Sequence, residues 1–382
     1  MLYQKNNLHG GDSYQEFIDL DYSVNLNPYG LSPAVRKAAA EALESACAYP
    51  DPFCRDLVAA IAAREQVPET QILCGNGAAE LIYSFCSALN RLERSRGSVG
   101  TAAASRTGPD SSSGTLSGTR KAVIPAPTFA EYELGLKNAG FGVCRYFLDR
   151  RQGFLPDEGI LEFILRHRPA AVFLCNPNNP DGQLIPRELL RKLLTLGKEQ
   201  QFRIFLDECF IDLSDQGVSM KECLAEYPEL FILKAFTKNY AMAGIRLGYG
   251  LCSDPELLKR MAETVQPWNV SVIAQKAGIA AMSDPEFPER ARALIPSQRE
   301  YLSRCLKDLG FEVCPSQANY LLFYGPTGLD AELRKRGIAI RDCSNYPGLG
   351  PGWYRIAVRL PEENRRLAGA LKEAVRTLQK EP

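Results

Sequence analysis

Apolar runs without polar alternation recur through the middle of the chain, and they are rich in β-branched and aromatic residues. They lie at Lys121–Pro125, Ala170–Cys175, Arg203–Leu206, Phe231–Leu233 and Ile245–Leu251. Amphipathic segments separate most of them, and Pro186–Gln200, for example, places four leucines along one face. Because strands buried on both sides lack alternation, the pattern predicts an α/β fold with a mostly parallel sheet between helices.

The pattern changes after about residue 270, where shorter elements follow one another. They are, in order, a charged helix at Pro288–Leu309, strands at Phe311–Val313 and Tyr320–Phe323, a helix near Asp330–Arg336, strands at Ile338–Arg341 and Tyr354–Arg359, and a helix from Glu362. We therefore predict a large domain over residues 51–268 and a small α+β domain over 269–382. Residues 1–50 are predicted to be a segment that joins the small domain.

A Ser/Gly-rich segment over residues 95–120 fits neither domain. Of its 26 residues, 16 are Ser, Gly or Thr, and Val99 and Leu116 are its only large aliphatic residues. Such a composition buries too little apolar area to offset the entropy that ordering the chain costs. We predict a flexible surface insertion between a helix and the strand that begins at Lys121.

Composition narrows the candidate functions. The chain has 382 residues, 45% of them hydrophobic, and its 45 Lys and Arg residues equal its 45 Asp and Glu residues. Balanced charge favours neither nucleic acid nor a membrane as a partner. Two histidines, His9 and His167, leave little scope for a histidine-rich metal site or a His-centred triad. We therefore predict no metal and expect another group to carry the acid–base chemistry.

The cysteines and the first residues bear on location. Twelve cysteines are scattered singly, without a CxxC pair, and the first seven residues lack the apolar core of a signal peptide. Single cysteines of this kind are typical of small buried side chains in a reducing compartment. The longest apolar runs are far shorter than the ~18 residues of a membrane span. We expect a cytoplasmic protein.

Chemically distinctive residues follow the predicted strands directly. Asn176–Gly182 follows the second strand, Asp207 the third and Lys238 the fourth, with Arg246 eight residues further on. Ligands of parallel sheets bind at the carboxyl ends of the strands. Gly75–Glu80 opens an apolar helix, where free backbone N–H groups can face a phosphate. A lysine, an aspartate, an asparagine and an anion site are the set that pyridoxal phosphate (PLP) requires.

In three segments the chain closely resembles the class I/II aminotransferase family, whose large PLP domain has fold type I. These segments are Asn176–Gly182, Asp207-Glu208 and Thr237-Lys238 with Gly244-Ile245-Arg246. The resemblance covers nearly the whole chain apart from residues 95–120. Within the family, the chain looks most like the branch that contains histidinol-phosphate aminotransferase and threonine-phosphate decarboxylase.

The resemblance implies a role for each of several residues at the cofactor. Lys238 would form the Schiff base, Asp207 would keep the pyridine nitrogen protonated, and Asn179 would donate to the phenolic oxygen of the ring. Phe129 would stack on the ring. The cofactor phosphate would be held by Thr237, Arg246, the backbone N–H groups near Gly77 and Ala78, and Tyr49 of a second subunit. Such a tyrosine implies a homodimer with shared active sites.

The same resemblance indicates a substrate site. Arg355 matches the arginine that clamps the substrate carboxylate bidentately. His9 stands in a His-Gly-Gly segment similar to that of threonine-phosphate decarboxylases, where the histidine lies near the substrate phosphate. Arg341 opens a segment, 341–349, that also looks like that group, so it is a candidate for binding a phosphomonoester. We also assign Asn27 to the substrate site.

The reaction type depends on how the substrate is held, and two alternatives follow. Phe210 stands where many aminotransferases have a tyrosine against the ring oxygen, which departs from the aminotransferase pattern. We therefore favour a PLP-dependent decarboxylase of an O-phosphorylated amino acid, first L-threonine O-3-phosphate, which would supply aminopropanol phosphate for cobalamin biosynthesis. The alternative is a histidinol-phosphate-type aminotransferase that uses glutamate and 2-oxoglutarate.

Overall fold

The computed structural model describes residues 9–12, 14, 16–101 and 120–379. The strands are β1 Leu20–Asp21, β2 Ile72–Gly75, β3 Lys121–Ala126, β4 Gly142–Phe147, β5 Ala171–Cys175, β6 Arg203–Asp207, β7 Leu230–Ala235, β8 Gly248–Leu251, β9 Glu312–Val313, β10 Tyr320–Tyr324, β11 Ile338–Ala339, β12 Arg341–Asp342 and β13 Trp353–Ala357. The α-helices are α1 Pro33–Ala42, α2 Arg55–Glu65, α3 Ala78–Thr101, α4 Ala130–Asn138, α5 Gly159–His167, α6 Arg187–Gln200, α7 Phe236–Asn239, α8 Pro255–Ala262, α9 Val272–Met282, α10 Glu286–Asp308, α11 Leu329–Arg334 and α12 Pro361–Leu378.

A seven-stranded sheet, ordered β2-β8-β7-β6-β5-β3-β4, lies at the centre of the larger part of the molecule. The strands from β3 to β7 pair in parallel, whereas β8 runs antiparallel to both β2 and β7. Apolar side chains of α3, α4 and α8 cover one face, and those of α2, α5, α6 and α9 cover the other. The predicted α/β fold with a mostly parallel sheet between helices is confirmed.

A smaller antiparallel sheet, ordered β12-β13-β10-β9, packs against α10 and α12. Strand β1 pairs in parallel with β11, so the N-terminal segment contacts this smaller part. The arrangement agrees with an α+β organisation of the C-terminal residues. The boundaries 1–50, 51–268 and 269–382 stay a prediction.

Several elements differ from the sequence prediction. The run Ile245–Leu251 becomes a strand only at Gly248, because Arg246 has a φ of +63°, which interrupts extended backbone. The run Ile338–Arg341 divides into β11 and β12, which belong to different sheets. Strands β2 and β4 were not predicted; β2 has only four residues, and β4 lies at the sheet edge with partly exposed side chains.

The segment predicted as an insertion is only partly described. Helix α3 continues to Thr101 and therefore enters the range 95–120. Residues 102–119 lie outside the described residues, so the prediction of a flexible insertion stays a prediction there. Among the helices of the described residues, none has both the length and the hydropathy that crossing a membrane requires.

Buried aromatic rings support the central strands beneath their carboxyl ends. Phe173, Phe205 and Phe231 stand on neighbouring strands, with ring centroids 4.7 Å apart for the first pair and 5.3 Å for the second. Phe85 of α3 lies 4.9 Å from Phe205 in an edge-on arrangement. Such rings bury large apolar areas and pack rigidly. Phe173, Phe205 and Phe231 are also register partners, so their stacked rings lie side by side across β5, β6 and β7.

Candidate active site

The carboxyl ends of three neighbouring strands meet at one cleft. Cys175 of β5 is the register partner of Asp207 in β6, and Asp207 is the partner of Leu233 in β7. The loop after β5 carries Asn179, and α7, directly after β7, carries Lys238. Asn179, Asp207 and Lys238 all line the cleft. Parallel pairing therefore brings together the side chains that the sequence placed at strand ends.

Asp207 is a buried carboxylate with two hydrogen-bond donors from the protein. The hydroxyl of Tyr132 donates to its Oδ2 at 2.6 Å, and the backbone N–H of Cys209 donates to its Oδ1 at 2.9 Å. Burial raises the pKa of Asp207, and these hydrogen bonds and the charge of Lys238 oppose that rise. A cation beside the carboxylate, such as a protonated ring nitrogen, would stabilise its charged form further.

Lys238 lies in the same cleft, and its amine is easier to deprotonate than an ordinary lysine. Burial lowers its pKa to about 8; the charges of Arg355 and Arg246 act in the same direction, while Asp207 opposes them. The amine stands 5.5 Å from the centre of the Phe210 ring. A lysine with such a pKa can both attack a carbonyl carbon and carry a proton near neutral pH.

An anion cradle forms where the N-terminus of α3 meets Arg246. Ala78, Thr237 and Arg246 line the cleft. Gly77 has a φ of +80°, a backbone conformation that favours glycine, and a Cβ there would lie 2.5 Å from Nη2 of Arg246, so the guanidinium would have to move away. A Cβ at Gly248 would likewise lie 2.7 Å from the backbone nitrogen of Ala78. Helix N–H groups and a guanidinium together favour a bound phosphate.

Two arginines of the small sheet face the same cleft. Arg341 and Arg355 are direct register partners on β12 and β13, and both are buried. Arg355 donates through Nη2 to the carbonyl oxygen of Ser23 at 2.8 Å and through Nη1 to Oδ1 of Asn179. Its buried Nε has no hydrogen-bond partner among the described residues. Arg341 donates through Nη2 to Oδ1 of Asn345 at 2.8 Å.

Asn179 links the arginines to the cofactor side of the cleft. Its Oδ1 accepts from Arg355 and, at 3.4 Å, from the hydroxyl of Tyr346. Since the carbonyl oxygen is engaged, the amide nitrogen is the group that can donate to a ligand in the cleft. Tyr346 also lies beneath Arg341, whose guanidinium carbon is 5.5 Å from its ring centre.

Aromatic side chains and His9 complete the walls of the cleft. Phe129 and Phe210 both line it, and the His9 ring lies 5.4 Å from that of Phe129. Nε2 of His9 is 2.6 Å from Oε1 of Glu131. The structure thus brings His9 to the cleft together with the candidate cofactor residues.

Three of the sequence-predicted site residues, Gly77, Tyr49 and Asn27, are not among the residues that line the cleft of this chain. Gly77 lies directly beside Arg246, which does line it. Tyr49 is 79% exposed and stacks on Trp268 with a centroid distance of 4.5 Å. Asn27 is buried, and its amide group donates to the carbonyl oxygen of Asn239 at 2.8 Å and accepts from the N–H of Tyr29. A contact of Tyr49 with a second subunit and a contact of Asn27 with substrate stay predictions.

Two tyrosines at the site were missed by sequence reasoning. Tyr132 stands three residues after Phe129, which is close to one helical turn, so both reach the same region. That spacing could have indicated it. Tyr346 lies within the segment 341–349 singled out above, but its contact with Asn179 depends on how the small sheet meets the loop after β5. No local pattern carries that information.

The residues present fit pyridoxal phosphate. The cradle around Gly77 and Arg246 suits a phosphate, because it brings the N-terminus of α3 and a guanidinium together. Asp207 suits a protonated pyridine nitrogen because burial destabilises its carboxylate charge, and a neighbouring cation would stabilise that charge. The amine of Lys238, with a pKa of about 8, suits a bond to the aldehyde carbon.

Comparisons with known proteins agree with this geometry. The family model for "Aminotransferase class I and II" matches residues 18–371. A threonine-phosphate decarboxylase from Salmonella typhimurium is 33% identical over 361 residues, covering 93% of this chain and 91% of its own. A histidinol-phosphate aminotransferase from Methanosarcina mazei is 31% identical, covering 91% of this chain and 86% of its own.

A solved structure supports the same assignment. The histidinol-phosphate aminotransferase from Clostridium acetobutylicum superimposes with a TM-score of 0.80 at 29% identity, covering 94% of this chain and 99% of that one. Decarboxylases and aminotransferases thus both stand among the relatives. The chain belongs to the class I and II aminotransferase family, and pyridoxal phosphate is its cofactor.

Proposed function

We propose that the protein is a PLP-dependent decarboxylase of an O-phosphorylated amino acid, with L-threonine O-3-phosphate as the first candidate and serine phosphate as the second. The product from the first would be aminopropanol phosphate, which suits a role in cobalamin biosynthesis. The pairing of Arg341 with Arg355 at the cleft carries the proposal. The 33% identity with a threonine-phosphate decarboxylase supports it.

Two adjacent arginines suit a small substrate with two anionic ends. Residues opposite each other on antiparallel strands have Cα atoms about 4.5–5.5 Å apart, so both guanidinium groups can reach one molecule. Arginine binds carboxylate and phosphate bidentately. The unpartnered Nε of Arg355 is a donor available for the carboxylate. Arg341 and His9 would then hold the phosphate ester.

The chemistry would divide among few groups. When bound, pyridoxal phosphate supplies an electron sink for the pair released as the bond between Cα and the carboxylate carbon breaks. Asp207 stabilises positive charge at the ring nitrogen, and Asn179 donates to the ring oxygen. Lys238, as an ammonium group, delivers the proton that replaces the departing CO₂ at Cα. The sum is one CO₂ lost and one proton gained per substrate.

Transamination is the second candidate, because relatives with 31% identity are histidinol-phosphate aminotransferases. Glutamate, the amino donor expected for this alternative, also has two anionic ends. Phe210 weighs against it, since its ring offers no hydroxyl to the cofactor oxygen at the cleft wall. The two reactions differ in what they release.

The products of threonine phosphate separate the two candidates. The holoenzyme is incubated with threonine phosphate without a keto acid, and in parallel with histidinol phosphate plus 2-oxoglutarate. CO₂ and an amino-alcohol phosphate from the first mixture are the expected result. Glutamate formation in the second mixture, with no CO₂ in the first, would replace decarboxylation by transamination.

The exposed stack of Tyr49 on Trp268 supports a homodimer with shared sites. If Tyr49 completes the phosphate site of a second copy, heterodimers of Tyr49→Ala and Lys238→Ala variants contain one site with neither change. Mixing and refolding the two variants at limiting cofactor should then restore activity. A mixture no more active than its parts, or a monomer in solution, would contradict shared sites.

A further inference from the structure

The backbone that directly follows the Lys238 side chain is held by one residue from a distant loop. The carbonyl oxygen of Lys238 accepts from the backbone N–H of Asn27 at 2.9 Å. The carbonyl oxygen of Asn239 accepts from the side-chain amide of Asn27 at 2.8 Å. Asn27 is only 3% exposed. A single buried asparagine therefore binds two consecutive carbonyl groups of α7.

The side chain of Asn239 is anchored by a second contact, with Asp212. Its amide nitrogen donates to Oδ2 of Asp212 at 2.7 Å. Asp212 in turn accepts from the ammonium group of Lys234 at 3.2 Å, and Lys234 also donates to Glu65 at 3.1 Å. The chain of contacts thus runs from a buried ion pair to the residue next to Lys238.

Helix α7 needs such anchors because it has only four residues. One turn fixes several dihedral angles for very few hydrogen bonds and is unstable alone. The backbone then turns sharply, with Ala241 at a φ of +52°. Without external contacts the position of the Lys238 amine would vary over distances that matter for catalysis.

We propose that Asn27 and Asn239 are positioning residues that clamp the backbone of Lys238 and fix its amine against the cofactor. The proposal requires only that Lys238 carries PLP and goes beyond the choice of substrate. It also gives Asn27 a different role from the substrate contact indicated by the sequence, since its amide group is occupied by protein groups.

The test uses the holoenzymes of Asn27→Ala and Asn239→Ala, with Asn364→Ala as the matched control. Asn364 is fully buried and makes comparable hydrogen bonds, to Tyr22, Gln298 and the carbonyl of Arg359, and none of these partners belongs to α7. Four quantities are measured: the visible absorbance of the bound cofactor against pH without substrate, kcat and KM with the active substrate, and the melting temperature.

We expect both clamp variants to shift the pH midpoint of the absorbance and to lower kcat by about 10- to 100-fold with little change in KM. The control should lower the melting temperature alone. Clamp variants that behave like the control would overturn the proposal, as would an Asn27→Ala variant that raises only KM, which indicates a substrate contact. Because the absorbance needs no substrate, it remains informative if the proposed decarboxylation fails.

A swapped pair tests the Asn239–Asp212 contact if Asn239→Ala does not fold. Combining Asn239→Asp with Asp212→Asn keeps both side-chain volumes and restores an amide–carboxylate hydrogen bond in the opposite direction. The double variant should recover kcat and the absorbance midpoint relative to each single variant. A double variant with the summed defects of both would overturn the role of this contact.

Discussion

Two lysines four residues apart stand in opposite surroundings on strand β7 and its continuation. Lys234 lies on one face of the sheet in what we call the charge cluster, formed by Glu65, Asp212, Lys221 and Lys234. Lys238 lies in the cleft at the carboxyl ends of the strands. Burial acts to lower the pKa of both amines. Asp212 and Glu65 outweigh it and raise the pKa of Lys234, whereas for Lys238 burial prevails.

The difference lies in charge balance. The charge cluster has two cations and two carboxylates, and each contacts a partner. Among the described residues that line the cleft, four Lys and Arg side chains accompany one carboxylate, that of Asp207. In the charge cluster each charge is compensated by another side chain, whereas the excess of cations in the cleft favours anionic ligands. The charge of the cleft therefore suits the binding of phosphate and carboxylate groups.

Of the substitutions that test this difference between the two lysines, the removal of Lys238 should have the largest effect on activity. Lys238→Ala removes both the nucleophile and the proton carrier, so we expect a fall in kcat of about 10³-fold or more. The visible absorbance of the bound cofactor should change as well. Lys192→Ala, at an exposed ion pair with Glu158, is the control and should leave both unchanged. A substantially active Lys238→Ala enzyme would contradict the assignment.

Replacing the guanidinium of Arg355 by an ammonium group should have the second-largest effect on activity. Arg355→Lys keeps the charge but loses the forked donor set, so the contact with Asn179 and a bidentate carboxylate cannot both persist. We expect kcat/KM for threonine phosphate to fall about 100-fold, mainly through one lost charge-assisted contact of roughly 1.5–3 kcal/mol. Steady-state kinetics measure it. An unchanged kcat/KM would remove Arg355 from the substrate site.

Removing the Tyr132 hydroxyl that donates to Asp207 should have a moderate effect on activity. Tyr132→Phe removes a donor that lowers the pKa of Asp207, so that pKa rises further. Because activity needs the carboxylate, the acidic limb of the kcat–pH profile should move to higher pH, and kcat should fall about 10-fold. Tyr22→Phe, which removes a buried hydroxyl that donates to Asn364, is the control. Identical profiles for the two variants would contradict this role of Tyr132.

The sequence predicted those parts of the fold and site that local pattern determines. Long apolar runs located β3, β5, β6 and β7, and the residues following them gather at one cleft. Strand β4 was not predicted, because its position at the exposed edge of the sheet allows Arg145 among its apolar residues. Local pattern carries no information on such an environment.

Contacts between distant segments could not be predicted for the same reason. The pairing of Arg341 with Arg355 depends on the register of two strands, and the hydrogen bonds of Asn27 depend on how a loop meets α7. From the sequence, Asn27 was assigned to the substrate site. The direction of its amide, toward the backbone of Asn239, follows only from the packed structure.

A change within the charge cluster should affect stability far more than catalysis. Burial acts to raise the pKa of Glu65, but Lys234, Lys221 and Tyr249 lower it to about 2, below its ordinary value of 4.5. The carboxylate therefore stabilises the fold fully above about pH 4.5, and that contribution is lost as the pH falls toward 2. Glu65→Gln leaves Lys234 with Asp212 alone. We expect a loss of about 3 kcal/mol in unfolding free energy at pH 7.

Denaturant unfolding of Glu65→Gln and the original protein at pH 7 and pH 4 measures this, together with kcat at pH 7. The difference in unfolding free energy should be smaller at pH 4, because part of the Glu65 contribution is already lost there. The kcat of the folded variant should stay within about 3-fold, because intervening residues separate Glu65 from α7. Lys234, Asp212 and Asn239 form one route, and Tyr249, which packs on Phe236, forms another. A variant of unchanged stability with a kcat as low as that of Tyr132→Phe would mean that the cluster serves the cleft rather than the fold.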